Sequence, residues 1–514
     1  MTKKPNIILI VTDQQRAPQL FDENMAKFDL PAYQRLRKNG IEFEYAFCNT
    51  CMCSPSRSTL FTSLYPSEHG VTQTLSFGGP YSVAQPTLDP TLPNMANLFY
   101  FAGYNVQYRG KWHLSKGNTK GDTENNLTAA EVGLFGFMGW EPPDAGEDTK
   151  PENFGGGFAN HDERYIREAI EFIENYDDPR PYLLVLSLVN PHDVLAYPNG
   201  YTFGYRDEIL KGPLQTPPSM AEDLLKNYKP TAQWQLLLSL NGLLGDLNSI
   251  PDGPKNYVNM YANLIRKIDH QIDQLLDLFM DKNGDPTERF QDTVIVRTAD
   301  HGEMGLAHGG LRQKAFNVYE ETIRVPMIWS SPLLGVQGVK SDSMVSLIDT
   351  LPTLIGFTGI DVPSNLKLKG HDYHKVLTGE TTSTQENILF TFDDIRAGAT
   401  NQQNAVLAPN RIRMVRNSRW KYAVYFHEDS SYPMEYEFYD LDYVSPDLNS
   451  IECANLAYHI PDDYPDPGLA ERTMKEMQVL LQQEIEAKLY KKNWNPDWPD
   501  TIQALKPNAN MLGK

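Results

Sequence analysis

Short apolar runs alternate with stretches of helical periodicity through the first three-quarters of the chain. Residues 7–11 (IILIV), 183–189 (LLVLSLV) and 293–296 (TVIV) are unbroken apolar runs, the pattern of strands buried on both faces; 325–329 is a shorter run of the same kind. Between the second and third, Tyr257, Tyr261, Leu264, Ile265, Ile268, Ile272, Leu275, Leu276 and Phe279 recur at helical spacing and predict one long amphipathic helix. Shorter helices are predicted over residues 31–38, 92–101 and 162–175. This alternation predicts an α/β fold, with a large mixed, mainly parallel sheet flanked by helices.

From about residue 386 the pattern changes. Strand-like runs at 411–416 (RIRMVR), 420–426 (WKYAVYF) and 437–441 (EFYDL) predict a smaller α+β domain with antiparallel strands. Residues 469–489 return to helical spacing, and their apolar face is a candidate surface for a homo-oligomer. The expected organisation is a large domain over 1–385, a small one over 386–465, and a helical tail over 466–514 that ends in polar, Pro-containing sequence. Two stretches look inserted: 115–160, rich in Gly, Asn, Asp and Glu, and 194–255, punctuated by Pro and Gly. Long loops at the carboxyl ends of strands usually shape pockets, which is the role expected of both. Residues 392–394 and 420–422 are further candidate contributors.

Composition narrows the classes of function. Hydrophobic residues make up 40% of the 514 and charged residues 22%, enough to bury a sizeable core. A net charge of −20, from 46 basic and 66 acidic residues, argues against a general nucleic-acid binder but not against a small anionic substrate. A few cations lining a pocket outweigh a distant, screened surface charge. Four cysteines are too few for a disulfide framework in a chain this long. Only five consecutive apolar residues follow the first lysines, too few for a signal-peptide core or a membrane span. The expectation is a cytoplasmic protein without membrane or nucleic-acid partners.

The first strand ends in Asp13-Gln14, and the strand at 293–296 leads into Asp300-His301-Gly302-Glu303. Two buried strands that deliver carboxylates and an imidazole to one sheet edge would build a divalent metal site. Taken singly, a strand-end Asp more often caps a helix. The segment from Cys48 to Ser63 carries more information. Cys48 and Cys51 have zinc or redox spacing, but a structural zinc site needs a second ligand pair and none follows. Pro55 suits the first turn of a helix running to Leu64, which leaves Cys53 just before that helix. There, unpaired backbone N–H groups favour an anion or an anionic nucleophile, and Arg57 can reach back over the same face.

Cys53-x-Pro55-Ser56-Arg57 followed by Leu60-Phe61-Thr62 resembles the signature of the type I sulfatases, members of the alkaline phosphatase superfamily. The resemblance implies that a maturing enzyme converts Cys53 to formylglycine (3-oxoalanine), whose hydrated aldehyde is the nucleophile. Ser63 stands where the family usually has Gly. The other family motifs follow in order: Lys111-Trp112-His113, Asn190-Pro191-His192-Asp193, Lys314 through Tyr319 to Arg324-Val325-Pro326, and the stretch 345–354. The C-terminal pattern through Phe438-Tyr439-Asp440-Leu441 is similar to the family's small domain, so the resemblance runs from residue 5 to about 456. Alone, His113 or His192 would be a hydrogen-bonded structural residue, and Lys111 or Lys314 a solvated charge.

By this resemblance residues 1–385 are the catalytic domain. Arg57 and Lys111 support the nucleophile, His113 is the base that breaks the covalent sulfate intermediate, and His192 and Lys314 contact the sulfate, one of them protonating the leaving oxygen. Asp13, Gln14, Asp300, His301 and the modified Cys53 would hold one divalent metal, with Ca2+ expected and Mn2+ the alternative because imidazole suits a transition metal better. The implied function is hydrolysis of an organic sulfate monoester to alcohol and sulfate. The Asp13-Gln14 and Asp300-His301 pairs are similar to the choline sulfatase and phosphonate monoester hydrolase branch, which makes a phosphonate monoester or phosphodiester hydrolase the alternative. A non-enzymatic relative that kept only the fold would have lost Cys53 or several of these cations, and none is lost.

Overall fold

The structure is a computed structural model that describes residues 4–117, 126–429 and 431–489. The polar end of the tail, 490–514, and the middle of the first inserted stretch, 118–125, lie outside the described residues. The described residues form two sheets. The larger contains β1 (Asn6–Asp13), β2 (Gly40–Phe47), β3 (Asn105–Gly110), β4 (Tyr182–Pro191), β5 (Thr293–Ala299), β6 (Met327–Ser330) and β7 (Val339–Ser346), in the spatial order β3-β4-β1-β5-β6-β2-β7. β3, β4, β1 and β5 are mutually parallel, as are β2 and β7, whereas β6 runs against both of its neighbours.

The central strands are the apolar runs expected from the sequence. Ile7 to Ile10 and Leu183 to Leu186 are fully buried, because helices cover both faces of the sheet. Ile8, Ile10, Leu184, Leu186 and Ile295 pack beneath Ile268, Ile272, Leu275 and Leu276 of the long helix Gly253–Leu276. The other face carries Leu9, Val11, Val185 and Val296 against Leu60, Phe61 and Trp112. The helix expected from residue 92 starts at Met95, because the Asn94 side chain accepts from Ala96 N and Asn97 N and caps it there.

The smaller sheet is antiparallel: β8 (Ile388–Phe392), β9 (Arg411–Arg416), β10 (Trp420–Phe426) and β11 (Glu435–Asp440), in the order β11-β10-β9-β8. Its last strand begins two residues before the expected run. Helix Pro467–Lys488 packs on this sheet and buries Ala470, Met477, Leu481 and Ile485 with Val415, Tyr422 and Val424. The apolar face expected to support self-association is therefore already occupied within the chain.

Buried polar groups tie the two sheets together. Thr391 N donates to Asn49 O at 2.8 Å. Arg416 and Lys421 reach back to Glu320 at 3.0 and 2.9 Å. Nearby, His308 Nδ1 lies 2.7 Å from Glu222 Oε2, and its ring stacks on Tyr319 with centroids 3.8 Å apart. Among the described residues no helix is long and apolar enough to cross a membrane.

Candidate active site

Because β4, β1 and β5 are adjacent and parallel, their carboxyl ends meet at one edge of the sheet. The register pairs Thr12 with Ala299 and Asp13 with Pro191, which sets Asp13 beside Asp300 and His192 just beyond. Helix Cys53–Thr62 lies over this edge with all ten residues buried. Cys53 is its first helical residue rather than the residue before it, and Met52 at φ 64° turns the chain into the helix. The Ser56 hydroxyl donates to Asp300 O, and Ser54 Oγ accepts from Leu75 N at 3.0 Å, so the first turn is fixed from both sides.

The helix ends at Ser63 in the left-handed region, φ 53°, where glycine is favoured. Serine is retained because its hydroxyl donates to Ile348 O at 2.7 Å and accepts from Gly370 N at 3.1 Å. This departure from the family pattern is offset locally.

Arg57 is enclosed. Its Nε donates to Asp300 Oδ2 at 2.9 Å, its Nη1 to Ser187 Oγ at 2.6 Å and Lys111 O at 3.2 Å, and its Nη2 lies 3.5 Å from Asp13 Oδ2. Lys111 Nζ is ion-paired with Asp13 and donates to Gly146 O. Burial and Asp13 raise the pKa of the Cys53 thiol, but Lys111, Lys314 and His301 outweigh them and bring it down to about 6. A buried anion at position 53 is thus stabilised by its surroundings.

The donor atoms of Asp13, Cys53, Asp300 and His301 all lie within 4.8 Å of one another. Cys53 Sγ is 3.3 Å from His301 Nε2 and 3.6 Å from Asp13 Oδ1. His301 Nδ1 donates to Gly302 O at 3.0 Å and Nε2 faces the carboxylates; against burial, Asp300 and Cys53 raise the ring's pKa, and a bound cation would displace the Nε2 proton to give the tautomer a metal ligand needs. This mixed set of two carboxylates, one imidazole and an anionic position 53 fits a divalent cation. Gln14 sits against the group, but its Oε1 accepts from Lys314 Nζ at 2.6 Å and its Nε2 donates to Glu303 Oε2 at 2.6 Å. One lone pair of that amide oxygen remains for a cation.

His113, His192 and Lys314 line the cavity above Cys53. His113 Nε2 is 2.7 Å from Leu75 O, which accepts its proton, so Nδ1 is the basic nitrogen and has no partner among the described residues. Burial, and then Lys111, hold its pKa down to about 3, so the ring is neutral. Burial likewise holds His192 well below the ordinary histidine value, against the pull of Asp13.

Residues 147–149 and 236–244, from the two inserted stretches, form walls of the cavity. A further wall, 396–402, lies between β8 and β9 and is not foreshadowed in the sequence. Asp394, within the candidate stretch 392–394, holds that wall in place by accepting from Thr74 N at 2.7 Å and Ala397 N at 2.9 Å. The 420–422 stretch does not reach the cavity. Trp420 stacks on Phe438 with centroids 5.2 Å apart, and Lys421 is buried between Glu320 and Glu452.

Cys48 and Cys51 build no metal group among the described residues. Cys51 Sγ faces Lys314 O, and burial raises both thiols well above the ordinary value. Sequence reasoning also missed Ser187, the partner of Arg57, and Asp144, which accepts from Trp112 N and His113 N and fixes His113 in place. Glu303, three residues after Asp300, was visible in the motif but had no assigned role; it anchors Gln14 and accepts from Tyr257 OH at 2.6 Å.

Known proteins agree with this architecture. The family model described as Sulfatase matches residues 5–360, and that of the N-sulphoglucosamine sulphohydrolase C-terminal region matches 308–460. The chain is 22% identical to arylsulfatase K of Mus musculus, over 97% of this chain and 87% of that protein. It is 24% identical to an N-acetylglucosamine-6-O-sulfatase of Bacteroides thetaiotaomicron, over 98% and 89%. Among solved structures, a 2-O GAG sulfatase superposes with a TM-score of 0.69 at 20% identity, covering 97% of this chain and 95% of that one. The phosphonate monoester hydrolase of Silicibacter pomeroyi superposes with a TM-score of 0.66 at 18% identity, covering 95% and 96%. With a family model spanning most of the chain and the same fold in those enzymes, the protein belongs to the sulfatase family.

Proposed function

We propose that the protein hydrolyses an organic sulfate monoester to alcohol and sulfate, with Cys53 matured to formylglycine and one divalent cation held by Asp13, Asp300, His301 and position 53. The observation that carries this reading is the convergence of position 53 with three metal-type donors and with the cations Arg57, Lys111 and Lys314. When bound, the cation, Ca2+ first and Mn2+ second, supplies Lewis-acid polarisation of a sulfate oxygen, and the matured side chain supplies a hydrated aldehyde as nucleophile.

The chain's own side chains do the rest. Arg57 and Lys111 keep negative charge on position 53 and Asp13 in a buried site that water would otherwise have to solvate. Lys314 Nζ, held by Gln14, carries positive charge into the cavity and neutralises a non-bridging sulfate oxygen. His113 enters neutral with Nδ1 unprotonated, the form from which a base must start. His192 lines the same cavity and, kept unprotonated by burial, can donate a hydrogen bond to the ester, which leaves Lys314 as the group to protonate the leaving oxygen.

The test uses protein coexpressed with a formylglycine-generating enzyme. Mass analysis of the Cys53 peptide should show conversion, and Cys53→Ala should fold but release no sulfate; undiminished turnover by that variant removes the mechanism. A phosphonate monoester preference is the second reading, supported by the Asp13-Gln14 and Asp300-His301 pairs and by the likeness to the Silicibacter enzyme's fold. Comparing kcat/KM on nitrophenyl sulfate and on a nitrophenyl phenylphosphonate decides between them.

A further inference from the structure

The cavity above Cys53 encloses about 440 Å3, and its walls differ in chemistry. One wall is aliphatic, built from Leu236, Leu240, Leu243 and Leu244 of helix Thr231–Leu244, with Leu195 from the turn after β4. Spacings of three and four residues place the four helical leucines on one face, and that face looks into the cavity. The helix is apolar on another face too, at Leu238, 62% exposed, and on the cavity face Leu243 is 68% exposed. A wall of five leucines along one side of a cavity suits an apolar ligand.

The facing wall is polar but nearly uncharged, with Thr400, Asn401 and Gln402. Its cation, Arg396, is partly engaged: Nη1 donates to Gln73 Oε1 at 2.8 Å and the guanidinium covers the Tyr81 ring at 4.9 Å, while its buried Nε has no partner among the described residues. Of the acids on the rim, Glu147 is held well above the ordinary carboxylate range by burial and by Asp144, and Asp148 lies 3.7 Å from Lys150 Nζ. Among the lining residues there is no Phe, Tyr or Trp. Among the described residues the cavity therefore offers no Phe, Tyr or Trp face for a sugar ring, and beyond the reaction centre Arg396 is its only lining cation.

We infer that the alcohol half of the substrate is apolar, an alkyl or alkylaryl alcohol rather than a sugar, and that the leucine face of helix Thr231–Leu244 determines this specificity. The inference rests on the hydrolase reading of position 53. The reactive end of such an ester lies over Cys53, His113, His192 and Lys314, and its hydrocarbon runs along Leu236 and Leu240 toward Leu243.

The test is a series of 4-alkylphenyl sulfates from methyl to hexyl, assayed with the matured, metal-loaded enzyme. Leaving-group acidity is almost constant along the series, so burial is what varies. Each methylene that reaches the leucines should raise kcat/KM about fourfold, with the gain levelling off once the chain passes Leu243. Leu240→Gln and the surface variant Leu243→Gln, checked for folding by thermal melts, should flatten that slope, and glucosamine 6-sulfate should be cleaved at least about 100-fold less efficiently than the hexyl ester. A flat series, or a preference for glucosamine 6-sulfate, overturns the inference. A parallel series of 4-alkylphenyl phenylphosphonates keeps the two readings apart. A rising slope there without sulfate release from the first series overturns the sulfate reading and upholds the apolar wall; a flat slope on whichever ester is cleaved overturns the wall.

Discussion

Lys111→Met tests how the site tolerates its own buried charge. Lys111 is fully buried, and its ammonium is shared between Asp13 and the carbonyl of Gly146. Methionine keeps most of the stem and its packing but removes the charge and both hydrogen bonds. Asp13 is then left with Arg57 Nη2 at 3.5 Å as its remaining fixed cation, and Gly146 O loses its donor. Breaking a buried ion pair costs about 3–5 kcal/mol, and an orphaned buried carbonyl about 1–3 kcal/mol of the same balance. The variant should therefore lose about 3–5 kcal/mol of unfolding free energy in guanidinium titrations with a chelator present. Adding Ca2+ or Mn2+ should recover more than half of that loss, because a cation bound to the native state takes over the charge on Asp13. Turnover should not recover to the same degree: one support for the developing charge is gone, worth about 10²–10³ in kcat/KM. A variant within about 1 kcal/mol of the parent in chelator, with kcat/KM within tenfold, would refute the view that Lys111 is held there for its charge.

Two further outcomes can be checked by denaturation alone. Ser63→Ala keeps the left-handed backbone strain and loses both hydroxyl hydrogen bonds, so it should cost about 2 kcal/mol, whereas Ser63→Gly, which relieves the strain, should cost less than half as much; equal losses would show that the backbone there is unstrained, and no loss from Ser63→Ala that the hydroxyl is idle. His308 has its pKa raised from 6.5 to about 10, because Glu222 overcomes the penalty of burial. The folded state thus holds this proton more tightly than the unfolded one, so its contribution is full below pH 6.5 and fades between pH 6.5 and 10. His308→Gln should then cost about 3–5 kcal/mol at pH 6 and clearly less at pH 9.5, and a loss that grows with pH would contradict this pairing.

The parts of the fold that could be read from the sequence are those with a single environment along their length. β1, β4 and β5 are buried on both faces, so each carries a run of apolar residues that announces it. β3 and β7 are edge strands: β3 alternates half-buried with buried residues, and the first half of β7 (Val339-Lys340-Ser341-Asp342) is largely exposed, so neither stands out from loop sequence. The reactive centre was legible because its residues sit within short motifs at strand ends. The wall at 396–402 was not, because its position depends on where the small sheet docks, through contacts such as Thr391 to Asn49 that join residues 342 apart in sequence. The position of Cys53 relative to its helix differed by one residue, the usual uncertainty of a helix boundary.

The pairing of β1 with β5 has a further consequence. Asp13 and Asp300 are brought together not by the length of chain between them but by the ladder that sets Ile10 against Arg297 and Thr12 against Ala299. A slip of a single rung, about 3.3 Å, would reverse which face each side chain points to and pull the two carboxylates apart. The hydrogen-bonded rungs therefore act as the ruler of the site, and the connecting segments are released from that duty. They are free to lengthen, shrink or be exchanged over evolutionary time, altering what the enzyme accepts without disturbing where it reacts.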